Sequence, residues 1–519
     1  MGDGAPARNI TFDSRLAGRC GQAIVALGLC GLAIRLYLSL TNYCISGDGA
    51  AYLAMAGEYD RGDWKKPLGA VFSPLYPLLI AGLHRLIPDW ELAGNLVSAF
   101  LGTGAIVSVY LLTREVFRRR DLALGAAALT AIHPDLAAYA ASVRTEAGYI
   151  FVTTTAVWLI LKARRENRVT MAALAGAIAG VAYLYRTEAI GLIFLLSAFL
   201  PVAALIWRDK SLAKSLQLSA TFALVALIFV TPYALFLHSR TNHWSVGREF
   251  NAAMMFGMGS AAQNPAPWRD LGFSKNASPL AALLANSNLY FVKVRGDLLV
   301  SCYNFAQAEG FVVMILLGVG WWTRGRKIFA SAPEALLAIV VAFYFLGFTL
   351  SYTGVRFMLH LIPYTFGWVM LGLETLAQTL ERILARRGWA MPPWVPAATL
   401  GLILIPQTFW PIGYDMRGVR YAGEAIAHRG NPGAVIARDG RVAWYAHARF
   451  VALPLTPVPS LCQWLATQSD PGYLLIGRHD ERRFAVTPDT SCLVFLQRYP
   501  RYGADYYDLY ATRRAERAP

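Results

Sequence analysis

The sequence predicts a mainly α, polytopic membrane protein of about eleven transmembrane helices, with a small C-terminal extracytoplasmic α/β domain. Three observations carry this. Hydrophobic residues make up 56% of the chain and charged residues 15%, and the mean hydropathy is +0.41, outside the range of soluble proteins. Several apolar runs, such as GQAIVALGLCGLAIRLYLSL at 21–40 and SLQLSATFALVALIFVTPYALFL at 215–237, reach the roughly 20 residues that one helical crossing needs. Between them the lysines and arginines fall in short clusters.

Those clusters set the topology. They are Arg8/Arg15/Arg19, Arg114/Arg118/Arg119/Arg120, Lys162/Arg164/Arg165/Arg168, Arg208/Lys210/Lys214, Arg324/Arg326/Lys327 and Arg382/Arg386/Arg387. Basic residues beside apolar helices resist translocation, so each cluster is expected on the cytoplasmic side. The net charge of +16 therefore reports topology, and no nucleic-acid partner is expected. A cleaved signal peptide is not expected either, because no small-residue cleavage site follows the first apolar run.

An even number of crossings must separate successive clusters. After helix 21–40 comes a first outer loop, 43–91, and a second long helix. Two helices fit within 122–161, the first interrupted by Pro134, with HPDLAAYAASVRTE at their outer turn. Two more fit between Arg168 and Arg208 around YLYRTEAI. Lys214 to Arg324 gives a pair around a long outer loop, 238–308, and Lys327 to Arg382 a pair around SYTGVRF. A last helix near 394–412 leads outside. Residues 1–412 thus form a membrane domain in the plasma (inner) membrane, with a cytoplasmic N-terminus.

The outer loops have their own character. GAAYLAMAGEY reads as a short amphipathic surface helix, and VFSPLYPLLIAGLHRLIPDW, with Pro74 and Pro77, as a re-entrant or interfacial stretch. SPLAALLANSNLYFVKV in the long loop reads as another interfacial helix. In 413–519, AGEAIAHRG resembles a helix ended by Gly430. GAVIARD, RFVALPL, GYLLIG and SCLVFLQ resemble short buried strands. Cys462 and Cys492 would form a disulfide in an oxidising compartment, but two unpaired buried thiols are the expectation.

The polar motifs SGDGAAY, SVRTEAGY, YRTEAI and VRFMLH fall on one side, where they can line one cavity. Their charged residues are Asp48, Arg144, Glu146, Arg186, Glu188, Arg356 and His360. Each also has a plain structural role. Asp48 precedes a helical run and is a good N-cap, although Ser46 could cap instead and free the carboxylate. Glu146 favours a helix N-terminus and could pair with Arg144. Arg186 and Glu188 could neutralise each other, Arg356 could snorkel to the interface, and His360 could be a packed core histidine. Together they supply carboxylates able to act as general base and arginine forks suited to a phosphate leaving group. Glu58, Asp60 and Asp63 read as a solvated loop.

In order, SGDGAAYLAMAGEYDRGDW, FSPLYPLLIAGLHRL, ASVRTEAGYIF, GVAYLYRTEAIGLI and VRFMLHLIP resemble the GT-C superfamily of polytopic glycosyltransferases. The likeness is to the bacterial branch related to protein O-mannosyltransferases and lipid A aminoarabinose transferases, over roughly residues 20–370. It implies a GT-C type membrane domain that moves a sugar, with inversion, from a polyprenyl-phosphate donor to a lipid, glycan or protein acceptor outside the cytoplasm. It maps the catalytic acids onto Asp48, as base, and Glu146, and the donor-phosphate arginines onto Arg186 and Arg356. Tyr52, Tyr76, Arg144, Glu188 and His360 fall to substrate binding.

Two departures stand out. Gly49 follows Asp48 where many relatives have a second acid, and SPLYP lacks the lysine that aminoarabinose transferases carry there. Lys66, Tyr52 or Tyr76 would have to supply that phosphate contact. No cofactor is expected. A divalent ion held by Asp48 and Glu146 is conceivable but not favoured. Three readings compete: a lipid-donor ligase or phosphotransferase, a lipid or glycan transporter, and a non-enzymatic assembly subunit.

Overall fold

The computed structural model describes residues 14–512 except 246, 265, 275–277, 431–432, 454–460, 479–490 and 501–505. The expectation resting on Arg8 lies outside the described residues.

The chain opens with α1 (Ser14–Leu40). The first loop then folds into three short helices, α2 (Gly49–Asp60), α3 (Lys65–Leu68) and α4 (Leu75–His84). The helix expected at GAAYLAMAGEY is thus present as α2, with Tyr52, Leu53, Ala56 and Tyr59 buried, and α4 is the apolar stretch that starts after Pro74 and includes Pro77. Asp89 caps α5 (Trp90–Phe117) by accepting a hydrogen bond from the Leu92 N–H at 2.9 Å, satisfying one of the donors a helix start leaves free.

The apolar run after Arg119 is broken as Pro134 predicts. α6 (Arg120–Ile132) and α7 (Pro134–Ala140) meet at a 59° bend, since proline has no N–H to continue the ladder. Carbonyls freed by the break find side-chain donors. Arg35 donates to the Thr130 and Ala131 carbonyls at 3.1 and 3.3 Å, and the Thr408 hydroxyl to that of Ile132 at 2.5 Å. Buried backbone in an apolar medium requires such partners.

Next come α8 (Glu146–Glu166), α9 (Val169–Tyr185), α10 (Ala189–Trp207) and α11 (Leu212–Thr241). The region read as a long outer loop is largely helical. It holds α12 (Arg248–Ala261), α13 (Ala266–Phe273), α14 (Pro279–Ala285) and the 23-residue α15 (Ser287–Glu309), which bends by 103° at Gly310 into α16 (Phe311–Arg324). The stretch SPLAALLANSNLYFVKV, read as one interfacial helix, divides at Asn286 between α14 and the start of α15, and polar residues hid the rest of α15 from a reading based on apolar runs. The two bends are joined, because His133 Nε2 donates to the carbonyl of Glu309 at 3.0 Å.

The bundle closes with α17 (Ala332–Leu350), one-turn α18 (Val355–Met358), α19 (Ile362–Ala385) and α20 (Val395–Thr408). Among the described residues, five helices are long and apolar enough to cross a membrane, or seven when each bent pair counts as one span.

After α20 the chain forms α21 (Arg417–Ala427), β1 (Ala434–Ala437), α22 (Arg441–Tyr445), β2 (Arg449–Ala452), α23 (Leu461–Ala466), β3 (Pro471–Gly477), β4 (Leu493–Tyr499) and β5 (Tyr507–Thr512). The sheet order is β2-β1-β3-β5-β4, parallel across the first three strands and antiparallel in β3-β5-β4. The sequence reading missed β5, whose YDLYAT has a buried aspartate. Asp508 accepts from Arg498 at 2.7 and 2.8 Å, so the charge is paired within the sheet. The expectation of unpaired thiols is overturned: Cys462 and Cys492 form a disulfide across 30 residues.

α16 and α19 cross closely at two glycines. A Cβ on Gly372 would overlap the Leu316 carbonyl, and one on Gly320 that of Trp368. Gly372→Leu should force the pair apart and lower stability by roughly 1–3 kcal/mol. Thermal unfolding in detergent would measure this, and an unchanged midpoint would refute the close packing.

Candidate active site

The sequence left open whether Asp48 caps a helix. It does not. The Gly49 N–H donates to the Ser46 hydroxyl at 3.0 Å, and that hydroxyl donates to the Val143 carbonyl at 2.7 Å. Asp48, at the cap position of α2, makes no side-chain capping bond. Its carboxylate instead pairs with Arg356, at the start of α18. Both partners stay open to solvent, at 31% and 34% exposure.

The segment leading to Asp48 is held from the far end of the chain. The Ile45 N–H donates to the Tyr445 hydroxyl at 2.7 Å, and Tyr445 donates to Glu91 at 3.2 Å. Arg441 donates to the Ile45 carbonyl at 3.3 Å. Both backbone groups of Ile45 are thus satisfied by α22.

Beside this pair lies a buried charge cluster centred on Arg186, which is 1% exposed. Its guanidinium donates to Glu188 at 2.8 and 3.2 Å, to the Thr145 hydroxyl at 3.1 Å and to Glu146 at 3.5 Å. A third carboxylate, Glu249 of α12, lies 3.6 Å away. The turn between α9 and α10 supplies Arg186 and Glu188, and Glu146 opens α8. Arg186 and Arg356 share the ring of Phe357, at 5.6 and 4.8 Å from its centroid, so the two charge groups form one site.

Not every expected residue joins it. Glu146 pairs with Arg186 and not with Arg144. Arg144 instead lies over the Tyr139 ring at 4.2 Å, where its charge gains a cation–π partner. Tyr76 is fully enclosed, its hydroxyl bonded to the Gly94 carbonyl and to Ser98 at 3.2 and 2.8 Å. Tyr52 is buried against the rings of Tyr76 and Phe72. His360 packs edge-on to Tyr149 at 4.8 Å, with both ring nitrogens lacking a partner.

Lys66 lies apart, exposed and paired to Glu58 and Asp63 at 3.4 Å each. It lines a cavity of about 370 Å³ together with Lys65, Arg240 and Arg248. Neighbouring residues of α3, α4 and α11, including Trp64, Leu68, Leu75, Phe229 and Tyr233, line an apolar groove of about 380 Å³.

Sequence reasoning missed Glu249, because the long loop was read for its aromatic and interfacial character and not for its acids. The Arg-Glu pair that opens α12 was the available signal. Glu249 also accepts from the Ser73 hydroxyl at 3.3 Å, and Arg248 donates to the Gly69 carbonyl. The loop is thereby latched onto both the first loop and Arg186. Among the described residues no three His, Cys, Asp or Glu side chains converge on a metal-binding geometry; the carboxylates here gather around a guanidinium.

The two acids flanking Arg186 respond in opposite senses. For Glu188 burial opposes ionisation, but Arg186 outweighs it and holds the carboxyl below its ordinary value. For Glu249 burial dominates over Arg186 and the carboxyl is pushed up to about 7. The native state therefore holds a proton at Glu249 between its unfolded value of 4.5 and about 7, and stability falls as pH rises through that window. Glu249→Gln should remove that fall, on the order of 1–3 kcal/mol. Unfolding midpoints from pH 5 to 8 would check it, and an unaltered slope would rule it out.

Residues 65–236 match the family of dolichyl-phosphate-mannose-protein mannosyltransferases. No curated protein matches by sequence. Among solved structures, the chain is similar to the archaeal oligosaccharyltransferase AglB of Archaeoglobus fulgidus, in complex with an inhibitory peptide and a dolichol-phosphate. The TM-score is 0.62 at 14% identity, covering 94% of this chain and 74% of that one. It is also similar to ArnT of Cupriavidus metallidurans bound to undecaprenyl phosphate, with a TM-score of 0.54 at 14% identity, covering 96% and 99%. The chain has the fold of the GT-C glycosyltransferase superfamily, as its ordered motifs suggest.

Proposed function

We propose that the chain is a membrane glycosyltransferase. It moves a sugar from a polyprenyl-phosphate donor to an acceptor hydroxyl of a lipid, glycan or protein, with inversion, on the extracytoplasmic side of the plasma membrane. The observation that carries the reading is the Asp48–Arg356 pair. A carboxylate released from capping duty by Ser46 sits, partly exposed, against a guanidinium, in a fold whose solved examples include proteins bound to lipid phosphates.

In this reading Asp48 takes the acceptor proton and the acceptor oxygen attacks the anomeric carbon. The bond to the donor phosphate breaks, its electron pair leaving with the phosphate. Arg356 is the accessible arginine for that charge; turning toward the donor, it releases Asp48 to act as base. Arg186 is enclosed by Glu146, Glu188 and Glu249, so its role is to position Glu146 and Glu188. The apolar groove between α3, α4 and α11 fits a polyprenyl chain.

Eleven crossings, an outer active site and an outer 413–519 domain belong to this proposal. The Cys462–Cys492 disulfide supports the placement of that domain, since such bonds persist in oxidising compartments. A transporter is the second reading, favoured by the two broken helices that meet at His133 and Glu309. A ligase using the same donor would need the same residues.

Asp48→Asn should lower transfer by about 10²–10⁴-fold while leaving the fold and donor-lipid binding intact; Arg356→Gln should weaken donor binding. Turnover assays with polyprenyl-phosphate sugars would test both, and full activity of Asp48→Asn would sink the mechanism. For topology, a cysteine at Asp60 should label from outside in a cysteine-free background, and one at Glu166 should not. The reverse pattern would overturn the sidedness.

A further inference from the structure

α5 and α8 both run away from the Asp48 site, and at their far ends lies another cavity, of about 470 Å³. α8 spans 21 residues from Glu146 to Glu166. At 1.5 Å per residue the cavity is therefore about 30 Å from the carboxylate cluster. Its wall carries five cations, Arg114, Arg118, Arg120, Lys162 and Arg165, against two carboxylates, Glu115 and Glu166.

The cations are organised, not scattered. Glu115 is only 6% exposed, and it holds Arg118 at 3.1 Å and Arg165 at 2.9 Å. Two guanidinium forks are thus fixed in place by one buried carboxylate, which lowers the ordering cost of binding an anion. Lys162 lies 5.3 Å over the ring of Trp158. Trp158 and Leu111 add apolar wall beside the charges, and tryptophan is the residue most at home at headgroup level.

Basic residues that only orient loops need no cavity and no buried counter-charge. We propose that this pocket is a second anion site, which holds a phosphate ester supplied by an anionic phospholipid headgroup. A surplus of three positive charges suits a phosphodiester, and the tryptophan beside it suits a ligand whose chains remain in the bilayer. The site is independent of the transfer chemistry proposed for Asp48.

The test uses the full-length protein in nanodiscs of phosphatidylcholine, with or without phosphatidylglycerol. Native mass spectrometry of retained lipid and thermal unfolding are the readouts. Phosphatidylglycerol should be retained and should raise the unfolding midpoint. Arg114→Gln with Lys162→Gln, which spares both pairs to Glu115, should cut retention roughly thirtyfold, about what two membrane-facing cations contribute, and abolish the rise. Lys162→Arg should keep both effects, which separates loss of binding from loss of folding. Arg326→Gln with Lys327→Gln removes two cations elsewhere and should change neither; an equal loss there would overturn the pocket in favour of diffuse surface charge. Inorganic phosphate added to phosphatidylcholine discs should give no rise. A rise with it, and no preference for phosphatidylglycerol, would overturn the lipid source.

Discussion

A single buried guanidinium organises the proposed active end of this molecule. Arg186 cannot be enclosed without counter-charge, and removing the partners of such a group costs about 3–5 kcal/mol. Three carboxylates from three separate segments meet it: Glu146 at the start of α8, Glu188 in the turn before α10 and Glu249 on α12. The requirement to satisfy one charge therefore fixes how two bundle helices and α12 sit together. Phe357 then carries the constraint to Arg356 and, through it, to Asp48.

The same logic of satisfied polar groups governs the rest of the bundle. Arg35 and Thr408 answer the carbonyls exposed by Pro134, and His133 joins that break to the one at Gly310. Charges at the other end of α5 and α8 follow a different rule, gathering in excess around the buried Glu115. One end of the bundle gathers carboxylates around an arginine, and the other gathers cations around a glutamate.

Much of this was legible in the sequence. The basic clusters and apolar runs located most helices, the Pro134 interruption and the turns that bring Arg186 and Glu188 together. Ser46 was legible as the alternative cap, because serine and aspartate compete for that role on equal terms. What the sequence could not reveal were contacts between distant segments. Glu249 lay in a loop with no periodic pattern to mark it. The later part of α15 was polar enough to pass for loop, and β5 hid its strand character behind Asp508, whose charge is paired by Arg498 across the sheet. Pairing of Cys462 with Cys492 likewise depends on geometry, not spacing. Arg144 shows the converse error, since sequence proximity to Glu146 suggested a pair that Tyr139 and Arg186 prevent.

The hold that α22 keeps on Ile45 bears on how the protein is made. Ile45 and Tyr445 are 400 residues apart, so the segment before Asp48 lacks its anchors until those intervening residues have been made. Contacts of such long sequence separation form late, because loop closure must precede them. The bundle can assemble while the Asp48 segment is still unfastened. The Asp48 segment is then set only when α22 arrives, so its final geometry depends on folding of the domain that carries α22.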